Sequence, residues 1–562
     1  MATGTLDPIT TEIVRSAFTA AADEMNATLI RSAYTPIIYE MKDCSVALLD
    51  AEHRVLGQSA GLPIFLGNLE ICTRICEEMY GRDGWEPGDV WIMNDSYMTG
   101  THLNDMTAFG PIFVDGELTG FAACRAHWLD VGAKDPGGPM DSTEIYQEGI
   151  RLGPLKVVER GRQRRDVTDL LARNSRFGYP AAGDLGAQIA CVRTGQRRLE
   201  AIVEKYGRET LEAARDEIFA QTERLERTLV AAIPDGVYHA QGCIDDDGTS
   251  DEPVWVRVVV TVAGEEMTID VTGSDDARRG PINCGEAQAI SACRVAYKLL
   301  INPDNPPDGG AFRPLSVNVR PGSLLGAEEP YPCQWYFTPL GLLIDLVVKA
   351  LADVLPEQAA GASYGDSMII GLAGVDPRNG RPFFDLEPTV GGWGAWQGSD
   401  GEDGLINNVN GSLKDLPIEV LETKFPLRMT EYSFRADSGG AGRWRGGNGV
   451  IREYTMDCDQ AELFLWFERA KTPAWGLFGG GTATPPAVVL NPGHGDQRTM
   501  LKASRVPLSR GDVIRTMTGG GGGYGSPTER DSDALRRDIR AGHVTADVAR
   551  TIYGLNAEEQ QQ

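Results

Sequence analysis

The residues of this chain that could do chemistry centre on two of its six histidines, His102 and His127. Each is followed three residues later by an aspartate, Asp105 in one case and Asp130 in the other. Groups at this spacing can face one point from a loop or a helical turn. Two imidazoles with two or three carboxylates are the ligands of a mixed nitrogen and oxygen site for Zn²⁺, Mn²⁺ or Fe²⁺. Such an ion can lower the pKa of bound water from about 15.7 to near 7. The alternative is that these are loop histidines beside aspartates that cap turns.

Two further aspartates lie where short strands are predicted to begin or end. Asp43 precedes the apolar run 45–49, and Asp95 follows the run 90–93. Apolar runs bounded by Asp and Gly are typical of strands, so each carboxylate is expected at one end of a strand. On its own, either one is an ordinary turn residue.

The glycine runs of the second half do not indicate a nucleotide site. Residues 519–525 are nearly all glycine and match a phosphate-loop pattern only trivially. Pro527 and Glu529 follow where a phosphate-binding helix should begin, and no P-loop lysine motif occurs. These runs therefore predict tight turns and close backbone approach, and the chain shows no ATP site of its own.

The surrounding pattern predicts the elements that must position the candidate residues. Asp7 and Pro8 offer an N-cap and a first-turn proline for a long amphipathic helix that runs to Leu29. Helical periodicity returns over 184–232, and a β-hairpin is predicted for 254–271. The apolar segment 342–355 is too short to cross a bilayer and is expected to be a core helix that ends before Pro356.

Together these patterns predict an α+β fold with several subdomains. A long N-terminal helix and a mixed sheet would carry the metal site in residues 1–235, followed by a central β-rich region over 236–385. A Gly-rich β region would occupy 386–530 and a helical tail 531–562, so the C-terminal half is β-rich and dense in Gly and Pro. Residues 558–562 are expected to be disordered.

Composition excludes some partners. The chain has 562 residues, of which 42 % are apolar, and its formal charge is −27. This is the composition of a globular protein whose acidity disfavours nucleic acid and anionic membrane surfaces. The N-terminus shows no secretory signal, and the ten cysteines are scattered without a Cys-x-x-Cys pair. We therefore expect buried, reduced thiols in a cytoplasmic protein.

Unusual strings lie along nearly the whole chain, in residues 7–10, 27–34, 43, 88–90, 94–95, 100–105, 126–127, 142–149, 183–188, 437–447, 522–527 and 553–554. Together they resemble the hydantoinase B/oxoprolinase family. The resemblance implies the B-type component of an ATP-dependent hydrolase that opens hydantoins, 5-oxoproline or lactams.

The resemblance also implies how the work is divided. A partner of the hydantoinase A type, an ATPase subunit of actin-like fold that holds ATP and Mg²⁺, would phosphorylate the substrate carbonyl. This chain would bind a divalent metal through Asp43, His102, Asp105 and His127. Asp130 would orient an imidazole without itself binding the metal. Relatives assemble as hetero-oligomers such as α2β2.

Two alternatives to the hydrolase stay open. A subunit of an acetone- or acetophenone-type ketone carboxylase would use bicarbonate, and a metal-free scaffold would only stabilise the ATPase partner. Two positions depart from the family pattern, because many relatives carry histidine in place of Phe65 and Trp128. The substrate pocket is therefore expected to be more apolar than usual, which favours a lactam or substituted cyclic imide.

Overall fold

The computed structural model describes residues 7–555, in which helices and sheets combine in an α+β fold as predicted. The predicted disordered stretch 558–562 lies outside the described residues. The α-helices of the described chain are α1 (Pro8–Ser32), α2 (Pro36–Tyr39), α3 (Pro63–Leu66), α4 (Leu69–Tyr80), α5 (Ser96–Thr99), α6 (Arg165–Arg173), α7 (Gly178–Tyr206), α8 (Arg208–Ala231), α9 (Glu286–Ile301), α10 (Phe337–Leu351), α11 (Ile418–Lys424), α12 (Ser532–Ala541) and α13 (Ala546–Thr551). Short 3₁₀ helices occupy Arg82–Gly84, Ile145–Gln147 and Pro527–Glu529.

Within residues 7–555 the strands form four sheets. The strands are β1 (Cys44–Asp50), β2 (Val55–Gln58), β3 (Val90–Met93), β4 (Asp105–Val114), β5 (Glu117–His127), β6 (Leu155–Glu159), β7 (Arg162–Gln163), β8 (Gly236–Ile244), β9 (Val254–Ala263), β10 (Glu266–Asp270), β11 (Leu315–Asn318), β12 (Ile369–Asp376), β13 (Arg381–Glu387), β14 (Leu427–Phe434), β15 (Val450–Met456), β16 (Ala461–Trp466), β17 (Ala487–Leu490), β18 (Arg498–Met500), β19 (Lys502–Leu508) and β20 (Val513–Met517). The sheet orders are β2-β1-β5-β4-β3-β6-β7, β11-β10-β9-β8, β13-β12-β16-β19 and β14-β15-β20-β17-β18.

The first sheet is antiparallel throughout, where the sequence predicts a mixed sheet. Its central strands β4 and β5 are joined by a tight turn at Asp115 and Gly116, both with positive φ. A turn this short can only reverse the chain, because parallel neighbours need a crossover connection. A parallel pair occurs in the second sheet, between β10 and β11.

The predicted N-terminal helix is confirmed. The Asp7 carboxylate accepts from the N–H of Thr10 at 3.3 Å and caps α1, whose apolar side packs against α7 and the first sheet. The second predicted helical stretch is two helices, α7 and α8, because Gly207 between them has a φ of +81°. A right-handed helix cannot pass through that conformation.

The predicted hairpin is confirmed as β9 and β10, which pair antiparallel. The apolar segment predicted as a core helix forms α10, which begins at Phe337, ends at Leu351 and is almost wholly buried. No helix within residues 7–555 combines the length and apolar character needed to cross a membrane. All ten cysteines lie among the described residues, where each is a buried free thiol.

The glycine runs build a close-packed bundle of extended segments. Residues 519–523 are buried, and the backbone N–H groups of residues 520–523 donate to carbonyls of separate chain segments. These bonds include Gly521 N to Gly447 O at 2.9 Å, Gly522 N to Ala362 O at 2.8 Å and Gly523 N to Gly481 O at 3.0 Å. A Cβ atom on Gly521 would lie 1.9 Å from the carbonyl oxygen of Trp393. The prediction of close backbone approach is confirmed.

The third sheet draws strands from both sides of the boundary predicted at residue 386, since β12 pairs with β13 on one side and with β16 on the other, and β16 pairs with β19. Core side chains from α1 to β20 belong to one continuous cluster. The subdomain boundaries themselves stay a prediction.

The close packing of the glycine segments predicts that two glycine substitutions differ strongly in their effect on the free energy of unfolding. Gly521→Ala should lower the free energy of unfolding by about 3 kcal/mol or more, because a methyl group would overlap backbone that cannot move aside. Gly186→Ala is the control, since a Cβ on this α7 residue meets nothing within 4 Å. It should be neutral or stabilising by up to about 1 kcal/mol. Urea unfolding followed by circular dichroism measures both, and equal stability of the two variants would contradict the packing described.

Candidate metal centre

The register of three neighbouring strands brings three of the predicted residues together. On β4 and β5, Asp105 lies directly opposite His127. On the other side of β5, the His127 N–H donates to the carbonyl of Asp43, which immediately precedes β1. Side chains directly opposite one another in an antiparallel sheet point to the same face. Asp43, His127 and Asp105 therefore form a row across one end of the first sheet.

His102 reaches this row from the loop between α5 and β4. The helix is followed by its C-cap residue Gly100, whose φ is +84° and where a Cβ would lie 2.4 Å from the backbone nitrogen of Gln288. The chain then turns tightly, with the Asp105 N–H donating to the His102 carbonyl at 3.2 Å. This turn places the His102 imidazole over the sheet end.

Three ligand atoms form a compact triangle at the centre of the site. His102 Nε2 lies 3.0 Å from Asp105 Oδ1 and 3.1 Å from His127 Nδ1, and His127 Nδ1 lies 3.3 Å from Asp105 Oδ1. In a shell with metal–ligand bonds of about 2.0–2.1 Å, neighbouring ligand atoms lie roughly 3.0 Å apart in octahedral and 3.3 Å in tetrahedral geometry. The residues His102, Asp105 and His127 could therefore bind a metal ion.

The hydrogen bonds around the triangle leave its lone pairs directed inward. His102 Nδ1 lies 3.0 Å from the carbonyl oxygen of Gln334, to which it donates, so Nε2 keeps its lone pair. The Tyr336 hydroxyl donates to Asp105 Oδ2 at 2.9 Å, which leaves Oδ1 for the triangle. Outer contacts of this kind fix the tautomer and the orientation of metal ligands.

Two polar atoms of the predicted ligands are buried without a hydrogen-bond partner, namely His127 Nε2 and Asp43 Oδ1. Buried polar atoms are nearly always paired, and leaving one unpaired costs about 1–3 kcal/mol. The pattern is not that of a satisfied turn, so the donor set fits a site that takes a ligand. Asp43 lies on the wall of the same cavity but outside the three-atom triangle.

The pKa shifts follow from burial and from the shared carboxylate. Burial raises the pKa of Asp105, but His102 and His127 outweigh burial and hold that pKa below its ordinary value. Burial lowers the pKa of His102, but Asp105 outweighs it and the net shift is upward. The pKa of His127 is lowered by burial, whereas burial and the charge of Asp105 raise the pKa of Asp43. Asp105 therefore stays ionised beside a neutral His127.

Asp130 is not placed against either imidazole. Its Oδ1 accepts from Arg176 Nη1 at 2.8 Å, and its Oδ2 accepts from the Arg176 backbone N–H at 2.7 Å and from the Ser175 hydroxyl at 3.3 Å. The orienting role that the sequence assigns to Asp130 is filled on His102 by the Gln334 carbonyl.

The cavity over the triangle has mostly apolar walls. It is lined by the four predicted ligands and by Ile37, Leu62, Phe65, Trp335, Tyr336, Phe337, Ile369, Leu386, Pro388 and Asn410. Phe65 contributes to the wall as expected, whereas the Trp128 indole points away and donates to Gln188 at 2.9 Å.

The buried guanidinium group of Arg125 lies behind this wall. Arg125 is fully buried on β5, and its hydrogen bonds go to Thr107, Asn68 and Cys72 at 2.8, 2.8 and 3.2 Å, none of them a carboxylate. Its Cζ lies 5.4 Å from the centre of the Phe65 ring. The wall therefore has a buried positive charge behind the Phe65 ring.

Sequence reasoning missed Gln334 and Tyr336, which lie more than 200 residues after His102 and Asp105 and share no spacing with them. It singled out the string 142–149 without a role for Glu148. Burial raises the pKa of Glu148 to about 7.

Comparison with known proteins is consistent across the whole chain. A family model described as Hydantoinase B/oxoprolinase matches residues 7–527. The beta subunit of caprolactamase from Pseudomonas jessenii is 31 % identical over 98 % of this chain and 96 % of its own length. The B-type subunit of a "Putative D-/L-hydantoinase" from Pseudomonas sp. (strain NS671) is 30 % identical over 99 % of this chain and 96 % of its own length.

Solved structures agree with these sequence matches. The crystal structure of ATP-dependent caprolactamase from Pseudomonas jessenii superposes with a TM-score of 0.91 at 30 % identity, over 99 % of this chain and 98 % of that one. A nucleotide-free structure of acetone carboxylase gives a TM-score of 0.87 at 19 % identity, over 99 % of this chain and 81 % of that one, which extends the likeness in fold alone.

The triangle predicts metal binding that depends on both histidines. The wild-type chain should bind about one divalent ion, and His102→Ala and His127→Ala should each weaken binding by more than about 100-fold, since losing an outer contact alone costs about 10–100-fold. Chelator competition with Zn²⁺ and Mn²⁺ measures the affinity.

The control for this prediction is His53→Ala. His53 is buried outside the site, with Nδ1 3.0 Å from the Thr73 hydroxyl. Its replacement should leave metal affinity unchanged. Full metal binding in both site variants would rule out the assigned ligands.

Proposed function

Because the chain belongs to the hydantoinase B/oxoprolinase family, we propose that it is the metal-dependent hydrolytic subunit of an ATP-dependent enzyme that opens cyclic amides. Hydantoins, 5-oxoproline and lactams are the substrate class. The observation that carries this proposal is the buried triangle of His102 Nε2, Asp105 Oδ1 and His127 Nδ1, with two unpartnered polar atoms beside it.

The chemistry supports a division between two subunits. An amide resists water because resonance stabilises it and its nitrogen is a poor leaving group. Phosphorylation of the carbonyl oxygen removes that resonance and leaves an electrophilic carbon. The glycine runs of this chain are packed in the bundle, which supports a division in which an ATPase partner, proposed to have an actin-like fold, holds ATP and Mg²⁺. The relative named as a beta subunit supports such a partner.

The residues of this chain have distinct tasks in the hydrolytic step. A divalent ion held by His102, Asp105 and His127, with Asp43 as fourth ligand, would lower the pKa of water to near 7 and so supply the nucleophile. The Gln334 carbonyl keeps the His102 lone pair turned inward, and Tyr336 holds the second oxygen of Asp105. With Nδ1 in the triangle, His127 carries its proton on Nε2, where it can donate to a substrate in the cavity.

The cavity walls support a substrate with few polar groups. Phe65, Phe337 and Leu386 are among the apolar side chains that surround the triangle. A polar ring such as an unsubstituted hydantoin would leave its hydrogen-bonding groups unpaired against these walls, which is costly. We therefore favour a lactam or an alkyl-substituted cyclic imide. The enzyme would act in the cytoplasm as a hetero-oligomer such as α2β2.

The test is ADP release and product formation by this chain purified with its ATPase partner. Lactams, hydantoins, 5-oxoproline and ketones are each assayed with and without bicarbonate. We expect a ring-opened acid without added bicarbonate. We also expect Asp105→Asn to slow its formation by more than about 100-fold, because a catalytic metal contributes several kcal/mol. His53→Ala, which lies outside the site, should retain the wild-type rate.

Two outcomes would contradict the proposal. Turnover only with a ketone and bicarbonate would assign the chain to an ATP-dependent carboxylase. Undiminished ring opening after exhaustive metal removal would assign it the role of a scaffold for the ATPase.

A further inference from the structure

The segment 333–337 covers the metal triangle although it lies far from the ligands in sequence. Besides the Gln334 carbonyl on His102 and the Tyr336 hydroxyl on Asp105, the edge of the Tyr336 ring contacts His102, with ring centres 5.1 Å apart. Three contacts from one five-residue segment therefore decide how two of the ligands are oriented. Whatever fixes this backbone also fixes the ligands.

Glu148 fixes the beginning of that segment through hydrogen bonds to its backbone. Its Oε2 accepts from the Cys333 N–H at 2.9 Å, and its Oε1 accepts from the Gln334 N–H at 3.0 Å. The Ser142 hydroxyl donates to the same Oε1 at 2.7 Å. A carboxyl group that accepts from two consecutive backbone N–H groups fixes the chain at two points.

The peptide between Gln334 and Trp335, whose carbonyl orients His102, is also fixed on its other side. The Trp335 N–H donates to the Pro281 carbonyl at 2.7 Å, so the Gln334–Trp335 peptide is bound on both flanks. Its carbonyl then has one direction available, toward His102 Nδ1. Glu148 and Ser142 are both fully buried, so solvent cannot replace either contact.

We infer that Glu148 is a positioning residue of the metal centre, which orients His102 and Asp105 through the backbone of Cys333 and Gln334 without touching the ion or the substrate. The inference rests on the proposed metal-dependent function. It assigns a task to the sequence string 142–149, which the ligand set leaves unexplained. Removing the carboxylate should loosen the site and leave its ligands in place.

The test compares Glu148→Gln with wild type in the full chain. An amide keeps the size of the side chain but offers one acceptor oxygen, so one of the two backbone N–H groups meets an NH₂ donor instead. We expect Zn²⁺ and Mn²⁺ affinity to fall about 10–100-fold, the range seen when outer contacts of metal ligands are removed. The visible absorption spectrum of the Co²⁺-loaded protein should change as well, because it reports ligand geometry and not stability.

Glu226→Gln is the matched control. Glu226 is equally buried, and its carboxylate accepts from Asn302 Nδ2 at 2.8 Å away from the site. This variant should lose stability in thermal unfolding while keeping wild-type metal affinity and Co²⁺ spectrum. Ser142→Ala, which removes one of the three contacts to Glu148, should show a smaller loss of affinity than Glu148→Gln.

The outcomes separate this inference from the proposed function. Wild-type affinity and spectrum in Glu148→Gln would overturn the positioning role while the metal site stands. An equal loss of affinity in Glu226→Gln would also overturn it, because the effect would then be general destabilisation. A wild-type chain that binds no divalent ion would overturn both the proposed function and the inference.

Discussion

The alignment of β1, β5 and β4 is the constraint on which the site depends. Because side chains alternate between faces of a sheet, a shift of one residue between β4 and β5 would turn Asp105 away from His127. The register is fixed by the core on both sides. Ala122, Cys124 and Ala126 face the helices α1 and α7, while Phe121 and Ala123 face the smaller cluster beside α4. The packing of apolar side chains on both faces of the sheet thus sets the position at which the polar groups meet.

The same strand alignment places charged side chains in the protein interior. Asp105 is fully buried, and His102 and His127 are nearly so, next to apolar walls where unpaired polar groups are costly. The outer atoms are satisfied by the Gln334 carbonyl, which accepts from His102, and by the Tyr336 hydroxyl, which donates to Asp105. The inner atoms face one another at distances suited to a common ion. Arg125 adds a buried positive charge without a carboxylate partner.

Local patterns in the sequence predicted what local physics decides. The N-cap at Asp7, the β9–β10 hairpin and the close packing of the glycine runs follow from short-range rules and are found in the structure. The three-residue step from His102 to Asp105 also identified two of the three members of the triangle. Asp130 shows the limit of such spacing, because an identical step after His127 leads to a salt bridge with Arg176. Gln334, Tyr336 and Glu148 reach the site through tertiary packing alone, and no spacing in one sequence marks that approach.

The most direct test of the account is the position of a bound ion. Crystals of the chain grown with Mn²⁺ or Zn²⁺, measured at the absorption edge of the metal, would locate it by anomalous scattering. We expect one strong peak within bonding distance of His102 Nε2, Asp105 Oδ1 and His127 Nδ1. No peak at saturating metal, or a peak held by other residues, would contradict it.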